Sequence, residues 1–397
     1  MRVACVGNMN NSFFALVRHL RDHGVDADLL LTNIEIDHFL PGADTFDDAY
    51  RTFTKQLDWG SPRSLFLVPR RTVLRDLSPY DAVIGCGMAP AHLERIGRAL
   101  DVFAPYGSDL YLMPWAAATR SPARAVARRR IACLQRNGIR RAREIFVKLD
   151  MYKPYRDALH ALGVSHRQAF HVPIYYPEYD RLLSGNTPSV FRYRSRFDAV
   201  RRRHEVVVFS PARHTWRLDV PDRDAAVRVS KGNDLLLRGV ARLAASGIDV
   251  GLITFVYGEG VRASRELVEQ LEIGDRVHWF PMMPRRELLY GAHISDVGAD
   301  QFPPPEHGGA FGSSTLEMLV LRLPVLGRLP YTGARWLRVT GFPAPPLLNA
   351  GDEHEVRDHV VTVTENSEAR DALGVRSREW VLSEFGTDAY LEALNMA

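Results

Sequence analysis

A chain of 397 residues exceeds the size at which one hydrophobic core usually stops growing, so two domains are expected rather than one. Hydrophobic residues at 46% and charged residues at 25% are an ordinary globular mixture, which excludes a disordered or fibrous chain, and no apolar run reaches the roughly 20 residues that span a bilayer. The formal net charge of +4 hides an asymmetry: residues 116–148 hold ten Lys or Arg against the single acid Glu144, which is +9 and leaves −5 for the rest.

The N-terminus enters a strand-like run at once, Val3 to Val6, with no signal-peptide layout, so a cytoplasmic protein is expected. After Gly7 and Asn8, the positions Phe14, Leu16, Val17 and Leu20 fall at helical spacing, and Gly24 reads as the stop signal of that helix. Strand-like runs at 27–31 and 82–84 continue the alternation that predicts a parallel sheet. Cys5, Cys86 and Cys133 have neither disulfide nor metal spacing and are expected to be buried thiols. The stretch from Arg120 to Arg143 interleaves arginines with Ala, Val126, Ile131, Leu134 and Ile139, the pattern of a basic amphipathic helix. Such a face suits anionic lipid headgroups or an anionic acceptor, or is simply a solvated helix surface. Nucleic acid is not expected, because no aromatics and no nucleic-acid motif accompany the run.

Residues 185–204 are polar, hold six arginines and read as a linker between a domain at 1–184 and one at 205–376. The strand and helix rhythm restarts there, with strands at 205–209 and 250–257 and helices at 234–245 and 262–271. The segment 377–397 shows helical spacing through Trp380, Phe385, Tyr390 and Leu394 and is expected to pack, back on the first domain. Chemistry concentrates in three windows of the second half. Phe209-Ser210-Pro211-Ala212-Arg213 and Ser230-Lys231-Gly232 place a cation after a strand and a cation before a helix, where a fork and a point charge suit phosphate oxygens. Asp300-Gln301, Gly308-Gly309-Ala310-Phe311-Gly312-Ser313-Ser314-Thr315-Leu316-Glu317 and Pro324-Val325 read as glycine-rich loop, helix and strand, whose helix-start amides form an anion site. Ser314 and Glu317 also have the spacing of a capping box, in which the glutamate only bonds back to the backbone.

These windows resemble the retaining GT-B glycosyltransferases of the large family-four type, with their glycine-phenylalanine-glycine loop, helix glutamate and Pro-Val strand. The resemblance is specific over 205–327 and loose over the first domain. It implies a GT-B fold of two Rossmann-like α/β domains facing each other across a cleft, and a transferase that moves a sugar from a nucleoside-diphosphate sugar to a sugar, lipid-linked or other acceptor. It implies that Arg213 and Lys231 stabilise the leaving diphosphate and that Glu317 holds the ribose, with Gly312, Ser313 and Ser314 at the donor. The loop Gly7-Asn8 resembles the one that approaches the donor phosphates, Asp109 in Gly107-Ser108-Asp109 resembles a cleft aspartate able to orient the acceptor, and Met282 follows the strand that receives the base. The sequence departs from the family at Gly309, where a sugar-contacting glutamate is usual, and Glu306 and His307 lie just upstream as replacements. Transfer with retention, without metal or other cofactor, is the mechanism implied, and the basic helix at 120–143 adds the expectation of an envelope polysaccharide or glycoconjugate pathway with a peripheral contact to the inner membrane face. A non-catalytic nucleotide-sugar-binding scaffold or a GT-B epimerase are the alternatives.

Overall fold

Short β-branched runs buried on both faces need helices above and below, and this chain builds two such sheets. The computed structural model describes residues 1–116, 119–147, 153–169, 174–185, 191–217, 230–304 and 311–395. It divides into one unit of Met1–Tyr175 with Phe385–Ala397 and a second unit of Tyr176–Glu384.

The first unit carries β1 (Arg2–Val6), β2 (Asp26–Leu31), β3 (Thr54–Gln56), β4 (Ala82–Gly85), β5 (Val102–Phe103), β6 (Glu144–Val147) and β7 (Arg167–Gln168). Their order is β3-β2-β1-β4-β5-β6-β7 and every pairing is parallel, with Cys5 set beside both Leu29 and Ile84. The order runs outward in both directions from β1 and β4. Between those two strands lies the switch point, and loops leaving their C-terminal ends diverge to opposite faces, which is where open α/β sheets hold ligands.

The second unit repeats the plan with β8 (Val206–Phe209), β9 (Val250–Phe255), β10 (Val277–Phe280), β11 (Val297–Ala299), β12 (Val325–Gly327) and β13 (Leu348–Asn349), in the parallel order β10-β9-β8-β11-β12-β13. Its switch point is between β8 and β11, where Val208 sits beside both Leu252 and Val297. Helix Asn233–Ala245 buries Leu236, Leu237, Val240 and Leu243 on this sheet, and helix Glu353–Glu365 adds Val356, Val360 and Val363 to the same core. No helix among the described residues is long and apolar enough to cross a membrane.

Three features differ from the reading of the sequence. The stretch expected as linker contains helix Arg194–Arg203, which belongs to the second unit and buries Phe197 and Val200. Its arginines crowd the exposed face and mask the apolar spacing beneath. The boundary of the units falls upstream, at Tyr175 and Tyr176. The segment from 377 is not one helix: helix Ser367–Glu384 stays with the second unit, while helix Asp388–Ala393 returns to the first, where Tyr390 packs edge-on against Phe146 with ring centres 5.0 Å apart. Cys5 and Cys86 are buried, but Cys133 is exposed because it lies on the outer face of helix Pro122–Arg141.

Candidate functional site

In the second unit the switch point gathers most of the residues singled out from the sequence. Leaving β8, the chain turns at Ser210 and runs past Arg213, His214 and Thr215. This segment is pinned by its backbone: His214 N–H donates to Tyr257 O at 2.8 Å, and the His214 carbonyl accepts from Gly260 N–H at 2.8 Å. The buried His214 ring bridges Ser264 Oγ at 2.8 Å and Thr254 Oγ1 at 2.9 Å. Burial lowers its pKa to about 4, so the ring is neutral at physiological pH and holds the segment as a bracket between β9 and helix Val261–Gln270. Arg213 is thereby carried into solvent beside the sheet end.

Lys231 reaches the same place from the other side. Its N–H donates to Thr215 O at 2.6 Å, Phe302 N–H donates to its carbonyl at 2.8 Å, and Asn233 Oδ1 accepts from Thr215 N–H at 3.0 Å. Gly232 makes this junction possible. Its φ is +61°, and a Cβ there would lie 2.3 Å from Phe302 O. The Lys231 ammonium donates to Gln301 Oε1. Its pKa is lowered by burial and by the charge of Arg213, and supported in the other direction by Asp300. The corner thus sets an exposed guanidinium beside a desolvated ammonium, an arrangement in which a bound anion would relieve the repulsion between them.

Asp300 is the hub of the glycine-rich window. From the end of β11 its buried carboxylate accepts from Gly312 N–H at 2.6 Å, Ser314 Oγ–H at 2.8 Å and Thr315 Oγ1–H at 2.6 Å, and so closes the N-terminus of helix Ser313–Val320. Sequence reasoning placed a ligand anion on these amides. The Gly312 amide is engaged by Asp300, whose other two bonds on this helix come from the Ser314 and Thr315 hydroxyls rather than from first-turn amides. Ser313 and Ser314 head the helix, half-buried.

The capping-box reading of Ser314 and Glu317 does not hold, because Ser314 turns to Asp300 and Glu317 turns to a cation. Arg285 Nε lies 2.9 Å from Glu317 Oε1, with the two side chains only 9% and 15% exposed, and Arg285 Nη2 donates to the Tyr179 hydroxyl at 3.0 Å. Arg285 was not found from the sequence. It is the first residue of helix Arg285–His293, after Pro284, and nothing local distinguishes it from its neighbour Arg286. Met282 is 52% exposed in the loop after β10, whereas Met283 is buried core. Glu306, His307, Gly308 and Gly309 lie outside the described residues.

In the first unit, Gly7 ends β1 with φ +95°, and a Cβ there would fall 2.6 Å from Cys86 Sγ at the end of β4, so only glycine lets these two strand ends meet. Asn8, expected to reach a ligand, is fully buried and spends its side chain on its own loop: Nδ2 donates to Asn11 Oδ1 at 2.9 Å and Phe39 O at 2.6 Å, and Oδ1 accepts from Phe14 N–H at 2.9 Å. Its role is to shape the loop. Asp109 is likewise fully buried and accepts from the N–H groups of Gly87 at 2.8 Å, Gly107 at 2.9 Å and Tyr106 at 3.1 Å. Burial raises its pKa to about 7 in spite of these bonds. It ties the loop after β4 to the segment before helix Ser108–Tyr111, with its carboxylate bonded to backbone at each of these contacts. Beside them a small cavity of about 90 Å³ is lined by Gly7, Glu35, Phe39, Cys86, Met88 and Tyr106. Glu35 Oε1 accepts from Asn8 N–H at 3.0 Å and Thr32 Oγ1–H at 2.9 Å, and burial raises the pKa of its carboxyl.

No protein-family model and no curated protein sequence matches the chain. Solved structures do. An α-glucosyltransferase solved with UDP-glucose and DNA aligns over 100% of this chain and 99% of its own at a TM-score of 0.62 and 11% identity. Sucrose-phosphate synthase from Thermosynechococcus elongatus aligns over 100% and 97% at 0.57 and 15% identity, and UDP-GlcNAc 2-epimerase from Neisseria meningitidis over 100% of both chains at 0.56 and 11% identity. With two parallel sheets wound outward from their switch points and alignments that span the whole chain, the protein has the GT-B fold.

Proposed function

We propose that the protein is a glycosyltransferase that takes its sugar from a nucleoside-diphosphate sugar and delivers it to a hydroxyl acceptor, in the making of an envelope polysaccharide or glycoconjugate. The observation that carries the reading is the convergence of Arg213 and Lys231 at the C-terminal end of the second sheet, where the Lys231 backbone bonds Thr215, two residues after Arg213, and burial lowers the Lys231 pKa with Arg213 adding to it. As the bond from the anomeric carbon to the diphosphate oxygen breaks, the electron pair stays on the diphosphate, and the two cations are already in place to receive that charge. The acceptor oxygen forms the new bond to the anomeric carbon and gives its proton to the departing phosphate, and the family resemblance implies that configuration is retained. Arg285 lies 2.9 Å from Glu317 Oε1 and orients that carboxylate, which in this reading accepts from ribose hydroxyls.

The test is a panel of UDP-, GDP- and ADP-sugars, measured for binding and for slow hydrolysis, with Arg213→Ala, Lys231→Ala and Glu317→Ala beside the unaltered chain. One donor bound tightly, weakened by all three changes and slowly hydrolysed to a sugar of unchanged configuration at its other carbons supports the transferase. The similarity to UDP-GlcNAc 2-epimerase gives a second reading, and release of a C2-epimerised sugar would replace the first reading with it. Binding without turnover identifies a nucleotide-sugar-binding scaffold, and no binding at all removes the site.

A further inference from the structure

We infer that the first unit carries a docking surface for an anionic lipid membrane, made by the outward side of three elements that share one small apolar cluster. Helix Ser64–Leu67, the turn at 112–115 and helix Pro122–Arg141 meet where Leu65, Met88 and Ala91 pack against Met113, Ile131 and Leu134. What those elements bury is ordinary. What they leave out is not: Leu67 is 78% exposed, Val126 66%, Leu112 60%, Phe66 43% and Trp115 38%. Scattered single apolar residues need no explanation, but large side chains on three adjoining elements form a patch.

The charge of the same side sorts into two halves. In the C-terminal half of helix Pro122–Arg141 the arginines are committed to the protein: Arg136 donates to Pro114 O at 2.6 Å, Arg140 to Leu162 O at 3.0 Å, and Arg141 pairs with Glu94 at 2.9 Å. Just beyond the helix, Arg143 takes Asp101 at 2.9 Å. The expectation that the whole of 120–143 forms the face is thereby narrowed. The N-terminal half keeps Arg124, Arg129 and Arg130 exposed, with Val126 one turn before Arg130 on the same side of the helix. Arg130 stands 5.9 Å above the Phe66 ring, and the Arg95 pKa is lowered by burial and by the like charges of Arg70 and Arg130, so at least Arg70, Arg95 and Arg130 gather beside the apolar patch. Glu94 and Asp101 pair with Arg141 and Arg143 at the far end, and residues 116–143 hold no acid of their own to offset the N-terminal arginines.

Exposed Phe, Leu, Val and Trp ringed by arginine match the boundary between headgroups and acyl chains, where apolar side chains sink a few ångströms and guanidinium groups stay among phosphates. Each basic residue near an anionic surface contributes about 1 kcal/mol, and each element of the patch adds an apolar anchor, so the two signals needed for stable attachment are both present. The inference deepens the proposed reaction, because it would bring the site to an acceptor held in a membrane, yet it rests on surface residues distinct from the donor site.

The experiment is flotation of the full chain with vesicles of equal phosphatidylglycerol and phosphatidylcholine, against phosphatidylcholine alone, at about 0.1 M and 0.5 M salt, the range over which screening becomes severe. Attachment to the anionic vesicles at low salt, little to the neutral ones and release at high salt are expected. The triple change Arg124→Ser, Arg129→Ser, Arg130→Ser should weaken partitioning on the order of a hundredfold, three contributions of about 1 kcal/mol. The pair Leu67→Asp and Val126→Asp should weaken it at both salt concentrations, with circular dichroism checking that each variant is folded. Equal partition of wild type and triple variant, no attachment to anionic vesicles, or retention on single-stranded RNA without retention on vesicles would each overturn the inference. Donor binding measured on the same variants separates the two proposals, since it should be unchanged here and is abolished only if the donor site fails.

Discussion

Removing the Asp300 carboxylate tests whether the second unit's site is organised as described. Asp300→Ala takes the acceptor away from three donors at once, the Gly312 N–H and the Ser314 and Thr315 hydroxyls. Thr315 is fully buried and loses the acceptor that its hydroxyl has among the described residues, at about 1–3 kcal/mol for an unsatisfied buried group. Gly312 and Ser314 are half-buried and recover part of their bonding from solvent, so the loss should total about 3 kcal/mol after the desolvation cost of the absent carboxylate is subtracted. Asp300→Asn keeps one carbonyl acceptor for the Gly312 amide, and both hydroxyls can turn to suit an amide, so it should cost about 1 kcal/mol. Urea unfolding of the two variants, read by circular dichroism, measures both values. A second consequence follows at Lys231, where Asp300 is the group that opposes burial and Arg213. Without it the lysine pKa falls further, and binding of inorganic pyrophosphate should decline at a lower pH than in the wild type. Stability of Asp300→Ala within 1 kcal/mol of wild type, together with an unmoved binding profile, would refute the hub.

Gly232→Ala forces a side chain against Phe302 O at 2.3 Å with φ at +61° and should cost several kcal/mol and the pyrophosphate site with it, whereas Gly247→Ala, with φ +83° and open space around it, should cost only about 1 kcal/mol. Arg285→Met and Glu317→Gln each strand a poorly exposed charge and should destabilise by about 3–5 kcal/mol singly, while the double variant should fall short of their sum by more than about 1 kcal/mol in urea unfolding. Burial raises the Asp109 pKa to about 7 from 3.8, so its contribution to stability is fullest below about pH 4 and is lost as pH rises through 7. Asp109→Asn should flatten the stability profile across that window, as read by thermal unfolding at a series of pH values. Cys133 should react with a maleimide in the folded protein, and Cys5 and Cys86 only after unfolding, as mass spectrometry would report.

The strands that frame the first switch point, and β8 of the second, were legible because their runs are short, apolar and bounded by glycine or polar residues, whereas the three-residue β11 beside β8 was not read. Arg213, Lys231 and the window from Asp300 to Glu317 stood out through their resemblance to a family pattern, since the local spacing of Ser314 and Glu317 alone reads as a cap. What escaped was every role decided by a distant partner. The spacing of Ser314 and Glu317 is a true capping-box spacing, but Asp300 and Arg285, brought in by β11 and a neighbouring helix, outcompete the local bonds. Asn8 and Asp109 looked available because the sequence does not reveal that Phe14, Phe39, Gly87 and Gly107 already hold them. The helix Arg194–Arg203 was read as linker because two buried residues among many arginines give too faint a period.

The return of helix Asp388–Ala393 to the first unit has a consequence for how the protein is made. Tyr390, Leu391 and Leu394 join the core that includes Phe14, Leu29 and Phe146, yet the entire second unit separates them from those partners in the chain. During synthesis the second unit emerges complete while the first still lacks a wall of its interior. Of the two units, the one begun first is therefore the one finished last, and until helix Asp388–Ala393 has emerged it leaves an apolar slot open where Tyr390, Leu391 and Leu394 belong.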